Sequence, residues 1–273
     1  MTHDLRSLWR PARVIENRRL SEGSAWIALE AVDDLPAAFD PGHVLGLGLM
    51  IDDQKLMRHA YTVSRGTPSQ RRFEHLYRII SGGRMSPLLA GLSAGHEVFF
   101  HGPFHTPIHQ EVQPEAEQII LMSTGAGVGP LYGYAEKVLS EGESRPMTLY
   151  AGFREESHAC LADELQSLTH RYPNFGWHFT LSRPSRNWSG LVGRVTESVP
   201  ERVGMEGLSR AHFHLVGNGA MVHLVKNALY RAGVAPGRVS TETYFNHSIP
   251  LNESEVEQVA ARFSGRVMSV GVE

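Results

Sequence analysis

The chain has 273 residues, enough for one large domain or two ordinary ones that bury proper cores without disulfide or metal staples. A formal net charge of -3 lacks the basic surplus that nucleic-acid binding requires. Cys160 is the only cysteine, so the sequence holds neither an internal disulfide nor the four thiolates of an iron–sulfur cluster, and redox chemistry would fall to an organic cofactor. The opening "MTHDLRSLWRPAR" carries charges without an apolar core and does not read as a secretory signal. No run reaches the roughly 18 apolar residues of a membrane span, so a cytoplasmic enzyme is the default expectation.

Residues 12–20, 24–32, 44–51, 59–64, 75–80 and 96–102 are short apolar-rich runs separated by turn signals such as "SEG", "DPG", "IDDQK" and "RGTPSQ". That spacing predicts an antiparallel barrel over residues 1–108. "SPLLAGL" at 86–92 interrupts it as a short helix, with Ser86 at the N-cap and Pro87 in the first helical position. Residues 106–116, polar and with two prolines, read as the linker. From about 117 the period changes, and continuous apolar runs at 118–125, 146–153, 175–182, 211–217 and 237–245 alternate with helical spacing. Alternation of this kind predicts a parallel, doubly wound sheet over 109–245. Residues 246–273 form an extension in which "NESEVEQVAARF" starts like a capping box at Asn252 and sets Val256, Val259, Ala260 and Phe263 on one face. It reads as a helix packed on the domain surface, with a lid over the active site as the alternative.

Two Gly-rich turns suit phosphate. "STGAGVGPL" at 123–131 follows a strand and opens a helix, where free N–H groups and the dipole favour an anion. "GGRMSPLL" at 82–89 has the same logic around Gly83 and the amides of residues 84–86. Arg154 and Arg183 follow the second and third strands of the second half, and Arg194 follows "GLVG". Ligands of doubly wound sheets bind beyond strand carboxyl ends, where such arginines could clamp a ribose 2′-phosphate. "HGPFHTPIH" spaces His101, His105 and His109 by four, but Gly102, Pro103 and Pro107 break the helix that would align them, so no metal site is read there. His212 and His214 read as packing residues.

The ordered series "RHAYTVS", "GGRMS", "STGAGVGP", "SRP…GLVGRV", "LVGNGAMV" and "ETY" resembles the ferredoxin–NADP(+) reductase family, and is most similar to the bacterial ferredoxin/flavodoxin-NADP reductases. The resemblance implies a six-stranded antiparallel FAD-binding barrel followed by a five-stranded parallel NADP-binding Rossmann-like domain. It implies electron exchange between NADP(H) and ferredoxin or flavodoxin through hydride transfer at flavin N5, by a monomer or weak dimer. Tyr61 is expected to stack on the flavin and Thr62 to hydrogen-bond near N5. The stretch Arg58, His59, Ala60, Tyr61, Thr62, Val63 and Ser64, with Tyr77, Ile79, Gly83, Arg84, Met85 and Ser86, is expected to hold FAD. Thr124, Gly125, Ala126, Gly127, Val128, Gly129 and Pro130 are expected at the NADP pyrophosphate, and Arg154, Ser182, Arg183 and Arg194 at the 2′-phosphate. Gly217, Asn218 and Met221 would line the nicotinamide half. Glu242 resembles the acidic residue near the nicotinamide, and Tyr244 the aromatic covering the flavin's other face.

Three departures from the family pattern stand out. Val216 occupies a place often held by Cys, and 29 residues follow Tyr244, which often ends the chain. The family's Arg-x-Tyr-Ser/Thr is here Arg58-His59-Ala60-Tyr61-Thr62. On a regular strand His59 shares the face of Tyr61 and would make flavin affinity pH-dependent. A β-bulge at His59–Ala60 would return Arg58 to the family role, and is the favoured register because a permanent forked charge suits pyrophosphate better than imidazole. A second reading of the whole chain is the NAD(P)H-dependent flavoprotein reductase component of an oxygenase or other acceptor system.

Overall fold

The computed structural model describes residues 8–52, 55–245 and 250–265. In chain order the first elements are β1 (Arg10–Arg19), β2 (Ser24–Ala31), β3 (Val44–Asp52), β4 (Lys55–Thr62), β5 (Arg65–Thr67), β6 (Arg72–Arg78), α1 (Ser86–Ala90), β7 (Glu97–His101) and α2 (Ile108–Glu111). Then follow β8 (Gln118–Thr124), α3 (Val128–Ser140), β9 (Met147–Phe153), α4 (Ala162–Arg171), β10 (Phe175–Leu181), β11 (Leu191–Val192) and α5 (Val195–Arg210). The chain closes with β12 (Ala211–Asn218), α6 (Gly219–Arg231), β13 (Val239–Phe245) and α7 (Glu253–Phe263). No helix among the described residues is long and apolar enough to cross a membrane. By backbone proximity the residues fall into two units: one runs to Gln110 and includes Gly129–Val138, the other takes Glu111–Val128 and the chain from Leu139.

In the first unit the strands form one antiparallel sheet in the order β4-β3-β7-β1-β2-β6-β5. The sheet curls until the end of β4 meets β6, where Ser64 N–H donates to Glu74 O at 2.7 Å. Its interior holds Ile27, Leu45, Leu47, Phe73 and Phe100, all fully buried, with Phe39 edge-on to Phe73 and Phe100. The sequence expectation of six strands misses β5, whose three residues are too few to show a period.

The segment Gly129–Val138 lies against β6 and the end of β4. A Cβ on Gly133 would fall 1.5 Å from Ser64 O, and one on Gly129 would fall 2.6 Å from Ser64 Oγ, so only glycine permits this approach. Beneath the helix, buried Glu74 accepts from Trp26 Nε1 at 2.6 Å and pairs with Arg72 at 2.8 Å. Arg65 adds ion pairs to Glu74 at 3.8 Å and to Glu136 at 2.7 Å, and its Nη2 donates to the Tyr132 hydroxyl. A carboxylate is tolerated at this depth because cations and an indole N–H surround it.

The second unit is a parallel sheet in the order β11-β10-β9-β8-β12-β13. The expected five strands gain a sixth, the two-residue β11, again too short to read from sequence. Val199, Phe213, Leu215, Val225, Leu229 and Phe263 share one core, which joins β12 to α5, α6 and α7. The apolar face read from the C-terminal sequence is the buried one: Val256, Val259, Ala260 and Phe263 are 1%, 6%, 6% and 0% exposed. Asn252 caps α7 by accepting from Ser254 N and Glu255 N.

Candidate FAD and nucleotide sites

The register of β4 is unbroken from Met57 to Thr62: Leu49 pairs with Met57, Gly48 with Arg58, Leu47 with His59, Gly46 with Ala60, Leu45 with Tyr61 and Val44 with Thr62. The bulge favoured from sequence is absent there; the irregularity of this pair lies between Met50 and Asp52, at the end of β3. His59 therefore shares the face of Tyr61, its ring 5.5 Å away and edge-on, while exposed Arg58 points with Ala60 and Thr62 to the other face.

Tyr61 is half-buried and its ring meets His75 at 6.3 Å and Tyr77 at 6.1 Å. Desolvation raises its phenol well above the ordinary range. Its hydroxyl is buried and has no hydrogen-bond partner among the described residues. An orphaned phenol edge-on to exposed His59 fits a polar cofactor with an aromatic face. His75, which sequence reasoning did not single out, is fully buried and its Nδ1–H donates to Thr62 O at 2.8 Å. Burial drives its imidazole down to about 4, so it is neutral. Only the closure of the sheet, invisible in sequence, puts His75 under Thr62.

Three expected cofactor contacts point inward instead. Val63 and Ser64 are 0% exposed and Tyr77 2%; the Ser64 hydroxyl accepts from Leu76 N, and the Tyr77 hydroxyl donates to Asn17 Oδ1. These side chains brace the Tyr61 strand rather than face a ligand. Ser86 is not the expected N-cap: Met85 holds that position, and Ser86 Oγ accepts from Ile80 N–H at 3.0 Å, closing the turn through Gly82 and Gly83. Ile79 is half-buried, Arg84 is exposed and Met85 is buried in the core.

In the second unit, Gly125–Gly127 form a single tight turn between β8 and α3. Gly125 has φ of 56° and open space where a Cβ would be, which suits close approach by a ligand. Gly127 serves packing: its Cβ would strike Val216 O at 2.5 Å. Ala126 and Val128 are buried, and Pro130 lies in the first turn of α3, as expected. Gly217, with φ of 138°, lets Thr124 come close, and Thr124 Oγ1 accepts from Asn218 N–H at 3.0 Å. Asn218 in turn caps α6 by accepting from Ala220 N. Met221 is 7% exposed and belongs to the core, not to an open groove.

The arginines gather at the strand carboxyl ends. Ser182 N–H donates to Phe153 O at 3.1 Å and Arg183 N–H to Arg154 O at 2.7 Å, setting those residues side by side beyond β9 and β10. Gly193 N–H donates to Leu181 O at 2.8 Å, which brings Arg194 to the same edge. Arg154, Ser182, Arg183 and Arg194 are all exposed. Arg194 opens α5, its N–H held by Glu197 Oε2 at 2.8 Å. On the opposite flank Glu242 pairs with Val216, and the β12–β13 ladder steps from Gly217–Thr243 to Asn218–Phe245. Tyr244 is the extra residue at that step, so this chain does place a bulge beside an expected site tyrosine, but at Tyr244.

Residues 11–107 match the oxidoreductase FAD-binding domain family, and residues 121–227 the oxidoreductase NAD-binding domain family. The chain is 26% identical over 171 residues to the plasma membrane-associated coenzyme Q6 reductase of Saccharomyces cerevisiae, covering 62% of this chain and 52% of that one. It is 27% identical over 252 residues to the reductase subunit of an aromatic O-demethylase from an Amycolatopsis species, covering 89% and 71%. Among solved structures, a ferredoxin NADP+ reductase from Neisseria gonorrhoeae with bound FAD and NADP superposes with a TM-score of 0.75 at 19% identity, covering 87% of this chain and 99% of that one. The chain thus spans about half the length of the yeast relative, and at that identity the solved structure speaks for the fold alone. The two matched domains in this order make the chain a member of the ferredoxin–NADP(+) reductase-like superfamily of FAD/NAD(P)-binding oxidoreductases, with FAD as the cofactor of its first domain and a nicotinamide-nucleotide-binding second domain.

Proposed function

We propose that the chain exchanges electrons between NADP(H) and a small one-electron carrier protein, ferredoxin or flavodoxin. The observation that supports the NADPH preference is the backbone-bonded edge that carries exposed Arg154, Arg183 and Arg194. A doubly charged 2′-phosphate would gain from guanidinium forks at this edge, whereas a 2′-hydroxyl would gain little from them. Bound FAD supplies a group that takes two electrons from nicotinamide and releases them singly. Tyr61 and His59 would present rings and a polar hydroxyl to it, and buried neutral His75 would keep the Thr62 backbone fixed. Gly125 would admit the coenzyme pyrophosphate, and Glu242 and Tyr244 would meet the nicotinamide. Domain limits at residues 108 and 245, and a cytoplasmic setting, belong to this reading.

A second reading, a reductase component of an oxygenase, is favoured by the Amycolatopsis relative, a named demethylase reductase subunit. The two readings separate on acceptor. Reduction of the purified flavoprotein by NADPH and NADH, followed by turnover against ferredoxin and flavodoxin, tests the first. Arg183→Ala with Arg194→Ala should lower kcat/KM for NADPH by about 100-fold relative to NADH, two factors of ten at roughly 1.4 kcal/mol each. Equal loss with both coenzymes would remove the 2′-phosphate assignment.

A further inference from the structure

The loop after β10 already holds an anion of the chain's own. Glu156 lies two residues past Arg154, and its Oε1 accepts from Ser185 N–H at 2.9 Å. That N–H belongs to the segment bearing Arg183 and Arg186, and Arg183 is tied to Arg154 through its backbone. Hydrogen bonding from Ser185, its side chain first and its backbone N–H with it, holds the Glu156 carboxyl below the usual carboxylate range. Its neighbour Glu155 is directed instead to His158, at 3.4 Å. The far end of the loop is pinned by Trp188, whose N–H donates to Ser185 O and whose Nε1 donates to Leu191 O at 2.9 Å. A backbone N–H flanked by exposed arginines is a donor set that phosphate takes readily; here a carboxylate occupies part of it.

We propose that Glu156 is a coenzyme-specificity residue: its carboxylate competes with the 2′-phosphate of NADPH for the Ser185 N–H and the surrounding arginines, and so narrows the gap between NADPH and NADH. The proposal rests on the NADPH reading above. A 2′-phosphate dianion is repelled by the carboxylate and must displace it. A neutral ribose 2′-hydroxyl can instead donate to it, so the same residue that opposes NADPH is neutral or favourable to NADH.

Glu156→Gln tests this, because the amide oxygen can still accept from Ser185 N–H while the charge is gone. The probes are adenosine 2′,5′-bisphosphate and 5′-AMP, titrated by calorimetry into the FAD-loaded protein, with kcat/KM for NADPH and NADH measured alongside. The expected result is bisphosphate binding tighter by about fivefold, unchanged 5′-AMP binding, and a rise of similar size in the NADPH-to-NADH ratio. Unchanged or weaker bisphosphate binding overturns the proposal. Arg183→Ala, run in parallel, separates the two levels: if it weakens bisphosphate binding while Glu156→Gln does nothing, only the Glu156 role falls. If neither variant changes bisphosphate binding, the 2′-phosphate site falls with it.

Discussion

His59 and Tyr61 stand side by side on one face of β4, ring centroids 5.5 Å apart and planes at 85°. The relationship follows from an unbroken ladder with β3, in which Leu47 faces His59 and Leu45 faces Tyr61. It reverses the expectation that Arg58 supplies the cation beside Tyr61, since Arg58 lies on the opposite face. His59→Phe keeps the ring contact and removes the polar nitrogens, so it isolates the hydrogen bond to the cofactor. FAD affinity should drop by about tenfold in His59→Phe, the worth of one good charge-assisted hydrogen bond, and little in Arg58→Ala. Fluorescence titration of the apoprotein with FAD measures both, and a larger loss in Arg58→Ala would return the role to the arginine.

Gly133 decides whether α3 can rest on the end of β4. A methyl group there would sit 1.5 Å from Ser64 O, and no side-chain rotation relieves a backbone collision. Gly133→Ala should therefore lower stability by about 3 kcal/mol or more, at or beyond the upper end of ordinary overpacking, and depress Tm by several degrees. Because Ser64 lies two residues past Thr62 and three past Tyr61, FAD should recover less of the lost Tm in the variant than it adds to the parent chain. Thermal unfolding with and without FAD reads both effects; an unchanged Tm would mean that the helix does not lie on Ser64.

The strand and helix runs were legible because their periods are local properties of the sequence. The ladder defects were not, since a bulge exists only with respect to a partner strand: the sequence points to His59–Ala60, whereas the structure has one at Tyr244. Strand β6 shows the second limit. Phe73 to Tyr77 are all buried, so adjacent Glu74 and His75 both lie inside, on opposite faces. Alternation predicts one buried and one exposed residue, and fails where the sheet closes below and the Gly129–Val138 segment lies above. The arginine edge was readable because strand carboxyl ends follow from strand order, while Glu156 escaped notice because its partner, Ser185, is 29 residues away in sequence.

The burial of His75 has a pH signature. Desolvation lowers its folded value to about 4, against an ordinary 6.5 in the unfolded chain. Between these values the unfolded state binds the extra proton, so the stability contributed is complete above pH 6.5 and drains as pH falls towards 4. At pH 5 the loss from His75 amounts to about 2 kcal/mol. His212, also lowered to about 4 by burial and the nearby Arg145 and Arg238, acts with the same sign. His75→Gln keeps an N–H for Thr62 O but has no such titration. Urea unfolding at pH 7.5 and pH 5 should show the parent chain losing about 2 kcal/mol more than the variant, and parallel losses would place His75 outside the pH response.

Phe263 tests what the C-terminal helix does. Its ring is fully buried and lies 6.3 Å from Phe213 of β12, edge-on, in the core shared by α5 and α6. The surface pairs of Arg231 with Glu253 and Glu257 add little to hold the helix, because exposed ion pairs are worth about 0–1 kcal/mol. Arg262 makes a more consequential bond, donating to Glu197 O at 2.9 Å in the first turn of α5, beside Arg194. Phe263→Ala should therefore lower unfolding stability by about 3–5 kcal/mol, as for other large core truncations. Below the unfolding transition, NADPH should still bind, weakened only as far as the Arg194 end of α5 loosens. A helix serving as a lid would show the reverse pattern: stability unchanged by Phe263→Ala, and coenzyme access altered. Urea unfolding paired with NADPH titration of the folded variant separates a structural buttress from a gate, and the buried ring predicts the buttress.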